Sequence, residues 1–222
     1  MAVAKENIKE EFFEFINQKS FPCVGAKSAL TRDNILLYNY GSMLAEGHHS
    51  DVLADIYRFI ENFDIEKHMF SSFVALFPHT PELDEQEFEN ALWATLQSLH
   101  DLDSALYPWD KTVSNDVRNS NFSFSLGSAA FFIIGLNPNS KRKSRRFGYP
   151  AIVFNLHSQF DKLRETGKFD AFRRHIHRND TRFCGSPNLM LANYGDGSEV
   201  LQYSGRLLSE DWKCPLKVRN ER

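Results

Sequence analysis

Two nearly continuous apolar runs on either side of a basic loop constrain the fold of this chain more than any other feature. The runs are AAFFIIGL (129–136) and AIVFNL (151–156). Each is far too short to span a bilayer, and short apolar runs bounded by turn residues are typical of buried strands. Just upstream, Phe122 and Phe124 alternate with serine, which is the period of a strand. The segment therefore predicts a sheet at the core of the protein.

Amphipathic helices are predicted around this sheet. Apolar residues recur at helical spacing in four segments, which are 5–18, 51–63, the residues after Asp84, and 158–177 with a break near Gly167. Asp84 and Glu87 have the spacing of a capping box, and Ser50 is the expected N-cap of the second helix. The run SSFVALF (71–77) predicts one further strand. We therefore expect an α+β single domain, with N-terminal helices followed by a small sheet with flanking helices.

Length, charge and cysteine content exclude several classes of protein. A chain of 222 residues with 42% hydrophobic residues can bury one substantial core. A net charge of -3 argues against general binding of nucleic acids, which requires a positive excess. The three cysteines are far apart and predict neither a disulfide framework nor a zinc site. Because the N-terminal segment lacks the apolar stretch of a signal peptide, we expect a cytoplasmic protein that binds neither membranes nor nucleic acids.

The basic loop between the two apolar runs resembles a phosphate-binding loop only superficially. Counted from Gly135, the position that needs the second glycine is Ser140, and Arg142 replaces the hydroxyl residue that binds magnesium. A nucleoside triphosphatase is therefore not expected. The five positive charges between Lys141 and Arg146 have two interpretations, a solvated loop or the anion-binding edge of a pocket.

A few polar residues elsewhere are candidates for a site, each with a structural alternative. His100 follows Leu96 by one helical turn, so it is either a satisfied core histidine or a functional one. His157 ends a predicted strand, where it either packs at the rim of the core or enters a pocket. Glu199, Tyr203 and Arg206 would contact a ligand or fasten a loop to the core. The sequence contains no GxSxG motif for a hydrolase.

Several long motifs nevertheless resemble a known family. They are SFPCVGAKSAL (20–30), LWATLQSLHDLD (92–103), YPWD (107–110), the stretch 122–164, GSPNLMLANYGDGSEVLQYSGR (185–206) and DWKCPL (211–216). In this order they resemble the YqcI/YcgG family, as a single domain over residues 1–222. Members include haem-dependent N-oxygenases, among them the pre-guanitoxin N-hydroxylase. The resemblance implies a haem-dependent monooxygenase that hydroxylates a guanidino or amino nitrogen of a small arginine-like metabolite.

A haem enzyme of this kind needs an iron ligand, an apolar slot, cations for the propionates and a carboxylate for the substrate. The residues expected in these roles are His157 as iron ligand, with His100 as second choice or catalytic group; Phe132 and Phe154 as apolar walls; Arg142, Arg145 and Arg146 at the propionates; and Asp101, Asp103 and Glu199 at the substrate. The implied partners are O2 and an electron-donating reductase, and a homodimer is considered.

One motif departs from the family pattern. The loop after FFIIGL usually reads His-Pro, whereas this chain has Asn137-Pro138, and a usual Gly-Gly pair is Gly127-Ser128 here. If the family's catalytic group or iron ligand were that histidine, this chain would take it from elsewhere, and Asn137 would occupy a catalytic position. The departure keeps two alternatives open, a non-catalytic haem-binding or sensing protein and a protein that binds a guanidino ligand without haem.

Overall fold

The computed structural model of the chain describes residues 2–190 and 197–219. Within them lie the strands β1 (Ile35–Asn39), β2 (Ser72–Leu76), β3 (Phe124–Leu126), β4 (Ala129–Leu136) and β5 (Ala151–Leu156). The helices are α1 (Ala2–Asn17), α2 (Val24–Thr31), α3 (His49–Asn62), α4 (Glu85–Asp103), α5 (Ser158–Glu165) and α6 (Phe169–Cys184), and two short 3-10 helices span Lys143–Arg145 and Glu199–Gln202. The predicted α+β class is confirmed.

The five strands form one sheet in the order β1-β2-β5-β4-β3. β1 and β2 run parallel and are connected through α3, whereas the other neighbouring pairs are antiparallel. A two-residue turn joins β3 to β4, and both of its residues, Gly127 and Ser128, have positive φ values of 58° and 59°. Positive φ at both central residues is the geometry of a type I′ hairpin, which matches the twist of the flanking strands.

Local sequence signals define the helix ends to different degrees. The predicted capping box is present at α4, where the Asp84 carboxylate accepts hydrogen bonds from the backbone N–H groups of Gln86 and Glu87. The Glu87 carboxylate in turn accepts one from the N–H of Asp84. The predicted cap of α3 was wrong, because the N-cap residue is His48 and not Ser50.

Side chains alternate between the two faces of the sheet and divide the core into two layers. Phe73, Phe131 and Phe154 point toward α3 and α4. On β2, the alternate residues Val74 and Leu76 point toward α1 and α2. This period of two follows from strand geometry, and helices on both faces explain why the central strands read as continuous apolar runs. Among the described residues, no helix has both the length and the apolarity needed to cross a bilayer.

A close approach at Gly135 fixes the C-terminal segment against the sheet. The Gly135 N–H donates to the carbonyl oxygen of Tyr203 at 2.7 Å. A Cβ atom at this position would lie 2.8 Å from a ring carbon of Phe88 and 2.9 Å from the Tyr203 oxygen. The absence of a side chain therefore allows helix α4, strand β4 and the Tyr203 segment to meet.

We expect the substitution Gly135→Ala to destabilise the protein by about 1–3 kcal/mol, because the added methyl group overpacks this contact. Denaturant unfolding of the variant measures the change. Gly148→Ala is the matched control, since a Cβ there meets no atom within 4 Å. Equal stability of the two variants would contradict the close-packed role of Gly135.

Candidate functional site

A cavity of about 280 Å³ lies between one face of the sheet and helices α1, α2, α5 and α6. Its size is near the lower end of the range of roughly 300–1,000 Å³ that is typical of small-molecule and cofactor sites. Eight phenylalanines line it: Phe12, Phe15, Phe21, Phe70, Phe132, Phe160, Phe169 and Phe172. A small number of polar side chains interrupt this apolar wall, and they are the candidates for chemistry.

His157 enters the cavity from the end of β5. Its backbone N–H donates to the carbonyl of Ala130, which anchors the residue to the neighbouring strand. The imidazole is buried, and its Nδ1 lies 3.2 Å from a carboxylate oxygen of Asp161, one turn further along α5. Although partial burial acts to raise the pKa of Asp161, its hydrogen bond with His157 and the charge of Arg164 lower that pKa overall. The imidazole therefore has a fixed orientation.

Glu199 reaches the same cavity from the 3-10 helix Glu199–Gln202. Its side chain is half-buried and lines the cavity. The Tyr203 hydroxyl donates to the Glu199 carboxyl at 2.5 Å. Burial raises the pKa of Glu199 to about 7, although the electrostatic effect of His157 acts in the opposite direction. Glu199 can therefore hold or release a proton near neutral pH.

The basic loop contributes mainly to the architecture around the cavity. Arg145 is buried and lines the cavity, but its guanidinium donates to the carbonyls of Gly135 at 3.1 Å and Gln202 at 3.0 Å. Burial lowers the pKa of Arg145 to about 10. Arg142 pairs with Asp180 of α6, and Arg146 donates to backbone carbonyls of its own loop. Neither of these two residues lines the cavity.

Helix α6 supplies polar residues that the sequence analysis did not identify. Arg173, His177 and Asp180 face the cavity, together with Phe169, Phe172 and Ile176 of the same helix. Burial lowers the pKa of His177, which favours its neutral form. The signal was present in the sequence, because these positions recur at intervals of three and four residues and so share one helix face.

Comparison with known proteins identifies the family of this chain. The sequence model of the YqcI/YcgG family matches residues 12–217. The chain belongs to the YqcI/YcgG family. It is 26% identical over 183 residues to an uncharacterized protein named YqcI from Bacillus subtilis (strain 168), which covers 74% of this chain and 70% of that protein. No solved structure matches the chain at a significant level.

The motifs of the YqcI/YcgG family do not all converge on the cavity. Of the candidates identified from the sequence, His157, Glu199, Phe132 and Arg145 line it. Phe154 lies on β5 but points to the opposite face, where its ring packs against Phe73 and Phe131.

Three candidates on α4 also lie on the opposite side of the sheet. The buried His100 accepts a hydrogen bond at Nε2 from the backbone N–H of Arg219. Asp101 pairs with the Arg219 side chain at 2.9 Å. Asp103 accepts hydrogen bonds from the Tyr57 hydroxyl and from the N–H of Gly127, so it fastens the β3–β4 turn. His100, Asp101 and Asp103 therefore make contacts that stabilise the fold on this side of the sheet.

Asn137, where the family resemblance implied a histidine, also lies outside the cavity lining. It is buried at the end of β4, where its side-chain amide donates to the carbonyl of Asp84 at 3.4 Å. Its Oδ1 atom has no hydrogen-bond partner among the described residues. The residue thus contacts the start of α4 and does not itself line the cavity.

The pKa of Glu199 predicts a specific pH dependence of stability. Native Glu199 titrates at about 7 and its ordinary value is 4.5, so the native state binds the extra proton between these pH values. Unfolding then becomes easier as pH rises through that window. We expect Glu199→Gln to be more stable than the wild type by ~3 kcal/mol above pH 7 and to lose this advantage below pH 4.5.

Urea unfolding of both proteins between pH 4 and 8 measures this difference. Glu61→Gln, at an exposed position on α3, is the control and should show no comparable change across the range. If the difference in unfolding free energy between the wild type and Glu199→Gln stays constant with pH, Glu199 does not bind its proton more tightly in the folded protein.

Proposed function

We propose that the protein is a haem-dependent N-oxygenase, related in activity to the pre-guanitoxin N-hydroxylase, and that the cavity is its active site. The observation that carries the proposal is the meeting of one oriented imidazole, His157, and one half-buried carboxyl, Glu199, in a cavity walled by phenylalanine. These are the protein groups that haem binding and recognition of a cationic nitrogen substrate require.

The donor set fits a haem with one protein ligand. Because Nδ1 of His157 contacts Asp161, coordination would use Nε2. A carboxylate on the other ring nitrogen is the usual outer partner of a metal-binding histidine, since it fixes the tautomer and raises the basicity of the ligand. Among the described residues, no group of three or more His, Cys, Asp or Glu side chains has the arrangement of a chelated metal ion. A haem iron does not need such a group.

The remaining walls carry the types of side chain that a macrocycle and its acidic substituents require. Phenylalanines from α1, α6 and β4 offer flat apolar surfaces on which a porphyrin can pack. Arg164 and Arg173 line the cavity from α5 and α6, and the guanidinium of Arg164 lies 4.4 Å from the ring centre of Phe169. We assign the propionates to these two arginines in place of Arg142 and Arg146, which lie outside the cavity lining.

Glu199 is the residue that we assign to the substrate. An ionised carboxylate can accept two parallel hydrogen bonds from a guanidinium, which fixes both the position and the orientation of the reacting nitrogen. The Tyr203 hydroxyl holds the carboxyl in place. A cationic substrate favours the ionised form of Glu199, so binding should release the proton that the empty site holds near neutral pH.

Haem, when bound, supplies the redox chemistry, in which two electrons from a partner reductase and two protons convert O2 into water and the oxygen atom of a new N–OH group. The chain contributes binding and orientation. The phenylalanine walls exclude water from the reacting nitrogen, and the Glu199 carboxyl can accept a proton at the cavity wall.

Haemin titration of the purified protein tests the cofactor. We expect a Soret band with a shifted maximum in the wild type. His157→Ala should change that spectrum and weaken binding by about 10-fold or more, since even loss of an outer partner of a metal ligand costs about 10–100-fold. His100→Ala is the matched control, because His100 is equally buried but lies outside the cavity. Absence of a Soret shift in the wild type would refute haem binding, and an unaltered spectrum in His157→Ala would refute the ligand.

Turnover of arginine-like substrates tests the reaction. With O2 and a chemical or enzymatic reductant, the haem-loaded protein should add one oxygen atom to the substrate, which mass spectrometry detects. Glu199→Gln should retain the Soret spectrum and lower kcat/KM by about 10–100-fold, because the neutral amide cannot replace a charge-assisted pair. Haem binding without any oxygenated product would favour the non-catalytic haem-binding or sensing alternative.

A further inference from the structure

Strand β1 forms one edge of the sheet, and its outer side carries a row of backbone groups that have no partner among the described residues. The N–H of Ser72 donates to the carbonyl of Asn34, and the N–H of Tyr40 donates to the carbonyl of Leu76. In this parallel ladder the even-numbered residues of β1 therefore face β2. The odd-numbered residues, Ile35, Leu37 and Asn39, direct their N–H and C=O groups away from the sheet. No described residue forms a hydrogen bond with these outward groups.

This edge lacks the features by which proteins usually prevent strand pairing. Its sequence, ILLYN, contains no charged residue and no proline, and its register with β2 is continuous from Ile35 to Asn39. Leu36 and Tyr38 remain 40% and 42% exposed on the same face. Edge strands that stay monomeric typically carry lysine, proline, a bulge or a covering loop. An apolar edge of this kind can form backbone hydrogen bonds with a further strand.

We propose that β1 pairs with β1 of a second copy of this chain, antiparallel about a twofold axis at Leu37, to give a continuous ten-stranded sheet. In this register Leu37 faces its own counterpart, and Ile35 faces the partner's Asn39. All three outward-facing residues then form hydrogen-bonded pairs, which exchange two bonds each. Any shift by two residues along the strand would leave one of them unpaired.

The same register makes the side chains self-complementary. Leu36 lies opposite the partner's Tyr38, in the closer, non-hydrogen-bonded type of pair. A leucine packed against an aromatic ring removes apolar surface from water on both sides of the axis. The flanking charges, Arg32 and Asp33, lie opposite the partner segment that begins at Gly41 and Ser42, so no like charges oppose each other. A twofold contact in which one patch binds itself is the commonest form of soluble dimer.

The affinity should be moderate. A five-residue strand with two half-exposed side chains buries less area than the 1,200–2,000 Å² of a standard stable interface, so we expect a Kd on the order of 10 µM. The dimer should therefore appear only as concentration rises. The proposed contact involves only the β1 edge of the sheet, and the inference does not rest on the proposed haem chemistry.

Two double charge variants at the same two positions of the edge test the pairing by sedimentation equilibrium. L36E/Y38E places like charges opposite each other across the axis and should weaken dimerisation at least tenfold. L36K/Y38E places opposite charges in the same positions and should restore it. Both variants lose the Tyr38 ring that stacks on Phe73, so any general loss of stability is shared and is checked by thermal unfolding.

Disulfide trapping tests the register separately. A mixture of the Leu36→Cys and Tyr38→Cys variants should form a linked heterodimer on mild oxidation, since directly opposite residues are close enough for a disulfide. Each variant alone should link much less. A wild type that stays monomeric at 200 µM, taken as roughly twenty times the expected Kd, would overturn the proposal, as would an L36E/Y38E variant that dimerises as well as the wild type. If the mixture forms no more disulfide-linked dimer than each cysteine variant alone, the proposed register is wrong.

Discussion

The buried guanidinium of Arg145 is the interaction on which the rest of the site depends. It donates to the carbonyl of Gly135 in β4 and to that of Gln202 at the end of the C-terminal 3-10 helix. The N–H of Gly135 donates to the carbonyl of the next residue, Tyr203, so two neighbouring bonds join the same segments. Because a buried charge is tolerated only when its donors are satisfied, these carbonyls and the cation require each other. Glu199 lies in the 3-10 helix Glu199–Gln202, whose end is fixed by this contact.

Local sequence signals predicted most of the helices and strands, but they did not predict which of them pack together. The capping box at Asp84 and the apolar runs of β4 and β5 are properties of neighbouring residues, and the structure confirms them. Strand β1 was not predicted, because ILLYN is a short apolar run with no alternation to separate it from a helix end. The N-cap of α3 was predicted at Ser50 because serine is a strong cap former, yet the N-cap lies two residues earlier, at His48.

The candidate site shows the same division between local and distant information. Phe132 and Phe154 occupy adjacent strands with similar apolar surroundings, but Phe132 faces the cavity and Phe154 the opposite core layer. Only the register of β4 with β5 decides this, since a shift of one residue exchanges the two faces. His100, Asp101 and Asp103 form a conspicuous acidic motif, but the helix that carries them packs on the side of the sheet away from His157. Proximity between motifs that are distant in the chain is set by the fold and not by their spacing.

The electrostatics of the cavity distinguish a binding site from a packing defect. A carboxyl that titrates near pH 7 destabilises the folded chain whenever it is ionised, and an apolar side chain of similar size would avoid that cost. Tyr203 and His157 reduce the penalty without removing it, because burial still dominates. A cationic ligand would reverse the balance, since it stabilises the carboxylate while the surrounding phenylalanines exclude competing water. Under the proposed function, the cost of ionising Glu199 in this cavity is therefore the physical source of selectivity for a positively charged nitrogen compound.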